Sequence, residues 1–515
     1  HGPSRNGHGG GAVTNLDLLL LIAAATALAA MAVGRWRGFG TLSVLAYGVQ
    51  LALLVQAGFD LHAGAGGWTS ALRLEVFGNT LSWTLTGFGW FFAVITVGAA
   101  LFSAWFAAGE WSRGEPHLRL FHASLALNVL AMLILLSSGD LLSLFVGWEL
   151  VTWAGFLIMV QKGGPATAAA YRYLIYGFGG GMAVFGALVA LQMDSGSLSY
   201  AAVTDALAAS GDGTVWLMLL LLGGGFAVKM AMVPTHLWQA DAYAEAPGPA
   251  SAFLGAASGR MSLFALMILL VQLVGFERLQ ALAIPFLPVD GQMLWAWLAA
   301  ITAVVPTFIA LTQNDARKLL AWHGIGQGGY MLLGVMVATP MGVAGGLLHA
   351  FNYAIYQAAL FMSVTAVMHR TGSADLDRLG GLINRMPLTY VTMLLGIIGL
   401  AGLPPLNGFV SKWLIYKSLL DAEMPLLFVA AVIGTLGTIL SVYKLIHNTF
   451  LGQLRAEHMH VREVPLSMTV PMLILGALTV VTGTFPGLAL DLVDLAQGAI
   501  GVVPLVHHLG GVETA

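Results

Sequence analysis

The chain of 515 residues contains no cysteine and very little charge: charged residues make up 9% of it, and the net charge is -3. Without cysteine there are no disulfides, thiolate metal sites or iron–sulfur ligands. Any redox chemistry must sit on partner subunits. With no basic surplus, nothing points to nucleic acid. What replaces charge is apolar surface, with 58% hydrophobic residues and a mean hydropathy of +0.85. A soluble domain does not carry that composition, so the chain is a polytopic membrane protein.

Apolar runs near the ~20 residues a bilayer requires predict fourteen spans. They lie at 16–34, 40–58, 84–108, 119–137, 141–160, 170–192, 215–234, 249–275, 292–312, 319–338, 342–368, 388–418, 425–450 and 467–490. The start, HGPSRNGHGGG, has no initiating methionine and reads as a mobile tail or a processed end, followed by a retained helix at Leu16 to Gly34. Thirteen Lys and Arg residues fall in loops after odd-numbered spans (from Arg35 and Arg37 to Arg455 and Arg462), and three (Arg5, Arg73 and Arg278) on the other side. By the positive-inside rule both termini face outward from a bacterial inner membrane.

The remaining cations, Lys229, Arg260, Lys412, Lys417 and Lys444, fall within or at the ends of spans. A lysine at the centre of a membrane helix costs roughly 2.5–3.5 kcal/mol on insertion scales, so these positions are the candidates for function. Lys229 follows the apolar run Trp216 to Val228, and the span then breaks at Pro234 into a polar segment with His236, Asp241 and Glu245.

Sequence matches suggest an internal repeat. GFAVKM at 225–230 pairs with GFVSKW at 408–413, YRYLIY at 171–176 with FNYAIY at 351–356, and GWELV at 147–151 with AWHGI at 321–325. The order is kept and the offset nearly constant. Spans 4–8 and 9–13 are therefore expected to be two five-helix repeats, and an odd helix count makes them inverted. The expected divisions are a tail at 1–15, three helices at 16–110, repeats at 111–280 and 281–455, and a last span with its tail at 456–515.

Glu149 is the only acid in its span and the repeat makes it the partner of Lys229. Apart, each group tends towards its neutral form; close together, each favours the other's charged form. That makes a proton switch, or alternatively a static pair locking two helices. In the second repeat the corresponding residues are His323 and Lys412. His323 reads either as a proton relay or as a histidine near the surface at Arg317 and Lys318. His349 opens a polar stripe with Asn352, Tyr353, Tyr356 and Gln357, which faces protein or water, not lipid. Arg260 keeps its proton and can position water or a carboxylate without loading and unloading. His236 and Asp241 either gate entry or cap a helix end. Lys417 is read as snorkelling, and Lys444 has the better case for lining an exit. His458 and His460 are read as a solvated loop, and no metal site is expected.

Together, the WE pair of span 5, FAVKMAMVPTHLWQADAYAEAP, DARKLLAWHGIGQGGYMLLG and GLAGLPPLNGFVSKW resemble the antiporter-like, proton-translocating membrane subunits of respiratory complex I. Mrp-type sodium/proton antiporters, membrane-bound hydrogenases and inorganic-carbon uptake complexes share the family, and the resemblance covers residues 75–490. It implies an all-α fold of fourteen helices with two inverted five-helix repeats and broken helices in spans 7 and 12. It also implies an ion pair of Glu149 and Lys229, Lys412 near the exit of the second half-channel, and Arg260 at the central connection where the family usually has lysine. Gln357 stands where several members carry lysine, and Tyr353 where some carry histidine. Either water and His349 bridge that gap, or the pair acts conformationally while a partner conducts. DAYAEAPGPASAF is similar to the quinone-proximal subunit of complex I, and FVSKWLIYKSLL to the Mrp and hydrogenase branches.

The function so implied is a non-catalytic translocase subunit that couples proton movement to chemistry elsewhere. The expected partners are other membrane subunits and a peripheral cytoplasmic subunit, with no cofactor on this chain. The rival readings are a sodium/proton antiporter component, which a single buried acid argues against, and a scaffold with a decayed relay.

Overall fold

The computed structural model describes residues 13–76, 78–284 and 287–512. Most of the expected tail at 1–15 lies outside the described residues. Among them, twelve helical segments are long and apolar enough to cross a membrane.

The first is α1 (Asn15–Val33), opened by a reciprocal cap: Asp17 N–H donates to the Thr14 hydroxyl and Thr14 N–H to the Asp17 carboxylate. It is followed by α2 (Phe39–His62), α3 (Gly87–Ala107), α4 (Leu118–Leu136), α5 (Leu141–Met159) and α6 (Pro165–Ser195). Two short antiparallel pairings lie between α2 and α3, Trp68–Thr69 with Thr84–Leu85 and Leu74–Val76 with Asn79–Leu81. The sequence reading did not anticipate them. The Asp17 carboxylate also accepts from Ser70 and from Ala71 N–H, pinning this connection to the start of α1.

A short surface helix, α7 (Tyr200–Ala209), precedes α8 (Asp212–Met218), which continues through a π turn into α9 (Gly224–Lys229). The helix stops at Lys229. Ala231 has φ +57°, and Pro234 cannot donate a helical hydrogen bond, so residues 230–238 run irregularly to α10 (Gln239–Glu245). Then come α11 (Gly248–Phe253) and α12 (Gly259–Met267), joined and extended by π turns, α13 (Phe276–Ala281), α14 (Gly291–Thr312), α15 (Ala316–Met336) and α16 (Pro340–Thr371).

A second interruption separates α17 (Pro387–Ala401) from α18 (Asn407–Asp421). Gly402 (φ +75°) closes α17 in the left-handed conformation, and Pro404 and Pro405 follow before helix resumes. Then come α19 (Pro425–Ile446), α20 (Leu466–Thr484) and α21 (Gly487–Ala499), and a short antiparallel pairing of His507–His508 with Gly511–Val512 follows.

Burial separates centre from periphery. The apolar window of Gly248–Val274 is 94% buried and that of α16 89%, whereas α1 and α2 bury 33%. The most polar long helices, α15 and α16, thus sit inside the bundle, where their side chains meet protein, not lipid. Their placement explains why α15 is too polar to count among the twelve yet is 21 residues of continuous helix.

Candidate functional site: three buried cations on aromatic faces

The two interruptions end or begin beside lysines, and a third cation lies in α12. All three are buried, at 2% exposure for Lys229, 3% for Arg260 and 1% for Lys412. None has a carboxylate within 4.0 Å among the described residues. Each instead lies over an aromatic ring: Lys229 Nζ is 4.4 Å from the Trp148 centroid, Arg260 Cζ 4.6 Å from Tyr353, and Lys412 Nζ 4.8 Å from Tyr330. The ring quadrupole attracts a desolvated cation by about 2 kcal/mol or more, which offsets part of the burial cost without an ion pair.

Lys229 closes α9. Its ammonium donates to the Trp148 carbonyl (2.9 Å) and to the Thr152 hydroxyl (2.5 Å). Glu149 is on the same turn of α5, but its carboxylate is not in contact with Lys229; Oε1 is buried without a hydrogen-bond partner. This carboxylate packs against α6, and a Cβ on Gly181 would lie 2.3 Å from Oε1. In this structure the expected partners therefore make no direct ion pair.

Lys412, in the first turns of α18, donates to the carbonyls of Leu400 (3.2 Å) and Ala401 (3.4 Å) and to the Thr435 hydroxyl (3.3 Å). The carbonyls are those left free where α17 ends. Thr435 also bonds Tyr330 (3.0 Å) and Tyr416. The Tyr330 ring meets His349 edge-on at 5.9 Å. His349 Nδ1 bonds the Ser411 hydroxyl and Nε2 the Gln327 amide oxygen, both at 2.8 Å. A connected polar run thus leads from Lys412 through Thr435 and Tyr330 to the neighbourhood of His349 and Gln327. Position 328 on α15 then faces the Met230 side chain, next to Lys229.

Around Arg260, Nε and Nη1 have no hydrogen-bond partner among the described residues. The Tyr353 hydroxyl, the Gln239 amide and the Gln357 amide converge where a Cβ on Gly324 would stand, at 2.7, 3.3 and 3.9 Å. Gln357 also donates to the Leu320 carbonyl (2.9 Å).

The other sequence candidates lie elsewhere. His323 is fully buried, with Nε2 bonded to Ser441 at 2.5 Å, so it is not a surface histidine. His236 rests edge-on against Trp322 at 5.6 Å. Asp241 neither caps nor stands free: it bridges Arg172 (2.7 Å) and Lys318 (3.0 Å), tying α10 to α6 and α15. Burial works to raise its carboxyl, and those two cations outweigh it and hold it below the usual value. Lys444 donates to the Gln313 carbonyl and the Asn314 side chain, both at 2.7 Å, finishing the end of α14. Lys417 pairs with Asp421 at 2.7 Å.

Sequence reasoning passed over Gln327, Tyr330, Ser411, Thr435 and Ser441. A signal existed for two of them. His323, Gln327 and Tyr330 on α15 stand at i, i+4, i+7, and so do His349, Tyr353 and Tyr356 on α16, two facing stripes at one helical spacing.

The motifs above fall within residues 138–438, which match the family model described as "NADH:quinone oxidoreductase/Mrp antiporter, TM". Subunit N of the NADH-quinone oxidoreductase of Heliobacterium modesticaldum is 29% identical over 428 residues, covering 81% of this chain and 86% of that one. Among solved structures, a chain of the archaeal membrane-bound sulfane sulfur reductase superposes with a TM-score of 0.86 at 24% identity, covering 96% of this chain and 79% of its own. A chain of the Mrp complex of Dietzia sp. DQ12-45-1b does so with 0.82 at 22% identity, over 94% and 97%. The chain therefore belongs to the NADH:quinone oxidoreductase/Mrp antiporter family of transmembrane subunits.

Proposed function

We propose that this chain is a proton-translocating, non-catalytic subunit of a multisubunit complex in a bacterial inner membrane, moving protons through Glu149, Lys229, His349, His323 and Lys412. One observation carries the reading: three buried cations, each on an aromatic face, with no contacting carboxylate among the described residues. A cation kept only to lock helices would be expected in a direct ion pair, since an unpaired buried charge destabilises. Lysines held by neutral acceptors and a ring can instead release and regain a proton as their surroundings shift. Arg260 cannot, and we assign it a fixed positive charge between the halves. Tyr353 and Gln357 position water beside it, while His236 and Asp241 support the path at its end.

The repeat reading fits this assignment. Spans 4–8 (residues 111–280) and 9–13 (281–455) form inverted halves, each with a helix broken beside a lysine, and residues 16–110 and 456–515 flank them. Both termini then lie outside, and the loops rich in arginine and lysine face a cytoplasmic partner subunit that carries the coupled reaction. Sodium is the weaker cargo, because Glu149 is the lone acid among the residues proposed to carry the proton, Asp241 being held by Arg172 and Lys318, and a sodium ion prefers several oxygen ligands.

Replacing Lys229 by alanine in the assembled complex, reconstituted in liposomes, tests the proposal. Proton flux should fall sharply while assembly persists. Undiminished flux would remove Lys229 from the path and with it the first half of the reading.

A further inference from the structure

Away from the polar interior, a cleft of about 470 Å³ opens between the turn after α1 and the first turn of α4. Its lining is Arg35 and Met31 from one side and His117, Arg119, Leu120 and Ala123 from the other, with Pro116 at the rim. The two sides are brought together by Gly34, where an added Cβ would stand 3.3 Å from the Arg119 Cα. No carboxylate lines the cleft. Neither guanidinium has an ion pair or a hydrogen bond to protein among the described residues; the nearby Glu115 carboxylate is turned to the His117 N–H (3.2 Å). The α4 N-terminus carries no side-chain cap, so its free N–H groups add to the positive potential.

The other half of the cleft is apolar and open. Met31 on α1 is 42% and Leu120 on α4 36% exposed, and Trp36, next to Arg35 in the chain, is 63% exposed. Tryptophan favours the headgroup level of a bilayer, so the arginines lie at the depth of lipid phosphates. A free inorganic anion would use the guanidinium groups alone and leave Met31 and Leu120 bare.

We propose that this cleft binds an anionic phospholipid, its phosphodiester held by Arg35 and Arg119 and its first acyl carbons lying along Met31 and Leu120. The inference is independent of the conduction reading. Both arginines belong to the loops assigned to the cytoplasmic side, where anionic headgroups give basic residues about a fivefold gain in binding each.

The test uses the full chain, purified in mild detergent and stripped of lipid, with native mass spectrometry as the readout. Phosphatidylglycerol, phosphatidylcholine and inorganic phosphate are the probes. Phosphatidylglycerol should bind at least tenfold tighter than phosphatidylcholine. The R35Q/R119Q variant should weaken it on the order of 30-fold and weaken phosphatidylcholine, whose phosphodiester is offset by its choline cation, by clearly less. R35K/R119K should keep most of the affinity, and if the double glutamine variant does not fold, each single one should show about a fivefold loss. Equal binding of the two lipids, or an unaffected glutamine variant, overturns the proposal. So does displacement of the lipid by equimolar phosphate, which would make this an inorganic anion site. A photo-crosslinker at position 120 that captures protein instead of lipid in the assembled complex would also end it.

Discussion

Replacing Gly225 by alanine puts a methyl group where α9 and α6 touch through their backbones. The new Cβ would lie 2.6 Å from the Gly180 carbonyl oxygen and 2.6 Å from Val184 Cγ2. Carbon–oxygen contacts between packed helices are ordinarily about 3.3–3.6 Å, so α9 must retreat by roughly 0.7–1 Å at that point. Overpacking of this kind costs about 1–3 kcal/mol. Gly224, its neighbour, is the control, because nothing lies within 4 Å of a Cβ there. Gly224→Ala should stabilise by about 0.5–1 kcal/mol, the usual gain on replacing a helical glycine by alanine. The helical gain is common to both substitutions, so the Gly225 variant is expected to be less stable than its neighbour by the overpacking cost alone, about 1–3 kcal/mol. Lys229 is one turn beyond Gly225, and a retreat of α9 draws its ammonium from the Trp148 carbonyl, now at 2.9 Å. Proton flux in liposomes should therefore fall in the Gly225 variant and hold in the Gly224 variant. Thermal unfolding of the detergent-solubilised chain, followed by tryptophan fluorescence, reads the stability. Equal midpoints, or a Gly225 variant more stable than its neighbour, would refute the packing argument.

Two further outcomes follow from the charges outside the conduction path. Glu110 receives Arg370 (2.7 Å) and His369 (3.1 Å), joining the 3-10 turn at Glu110–Gly114 after α3 to the end of α16. Burial works to raise its carboxyl, but the His369 and Arg370 contacts outweigh it and hold it below the ordinary 4.5. Its stabilisation is present above that ordinary value and lost as pH falls through the lower folded value. Glu110→Gln should lower the unfolding midpoint at pH 7 and narrow the gap to wild type on acidification below about 4.5; a gap that does not change with pH would contradict this. Lys444→Met leaves the last carbonyls of α14 without their donor and should cost about 1–2 kcal/mol with flux unchanged. A loss of flux at full stability would place Lys444 in the path itself.

Much of this protein was legible because charge is expensive in an apolar chain. Lys229, Arg260 and Lys412 stand out in their spans by chemistry alone, and Pro234, Pro404 and Pro405 announce that the neighbouring helices cannot run through. The long spans follow largely from hydropathy and length for the same reason, but the shorter helices α7, α13 and α21 and the strand pairs near Trp68 to Leu85 and His507 to Val512 do not, because they are short and carry little apolar periodicity to read. What each cation touches was a different matter. Sequence proximity and repeat matching gave Lys229 to Glu149, yet its ammonium rests on the Trp148 carbonyl, the Thr152 hydroxyl and the Trp148 ring. His323 sat near surface cations in the chain and is buried against Ser441, 118 residues away. Composition and spacing decide which groups must be sheltered from lipid. Only the packing of α15 and α16 at the centre, and the backbone approach of Gly180 to Gly225, decide what shelters them, because a few tenths of an ångström separate a hydrogen bond from a clash.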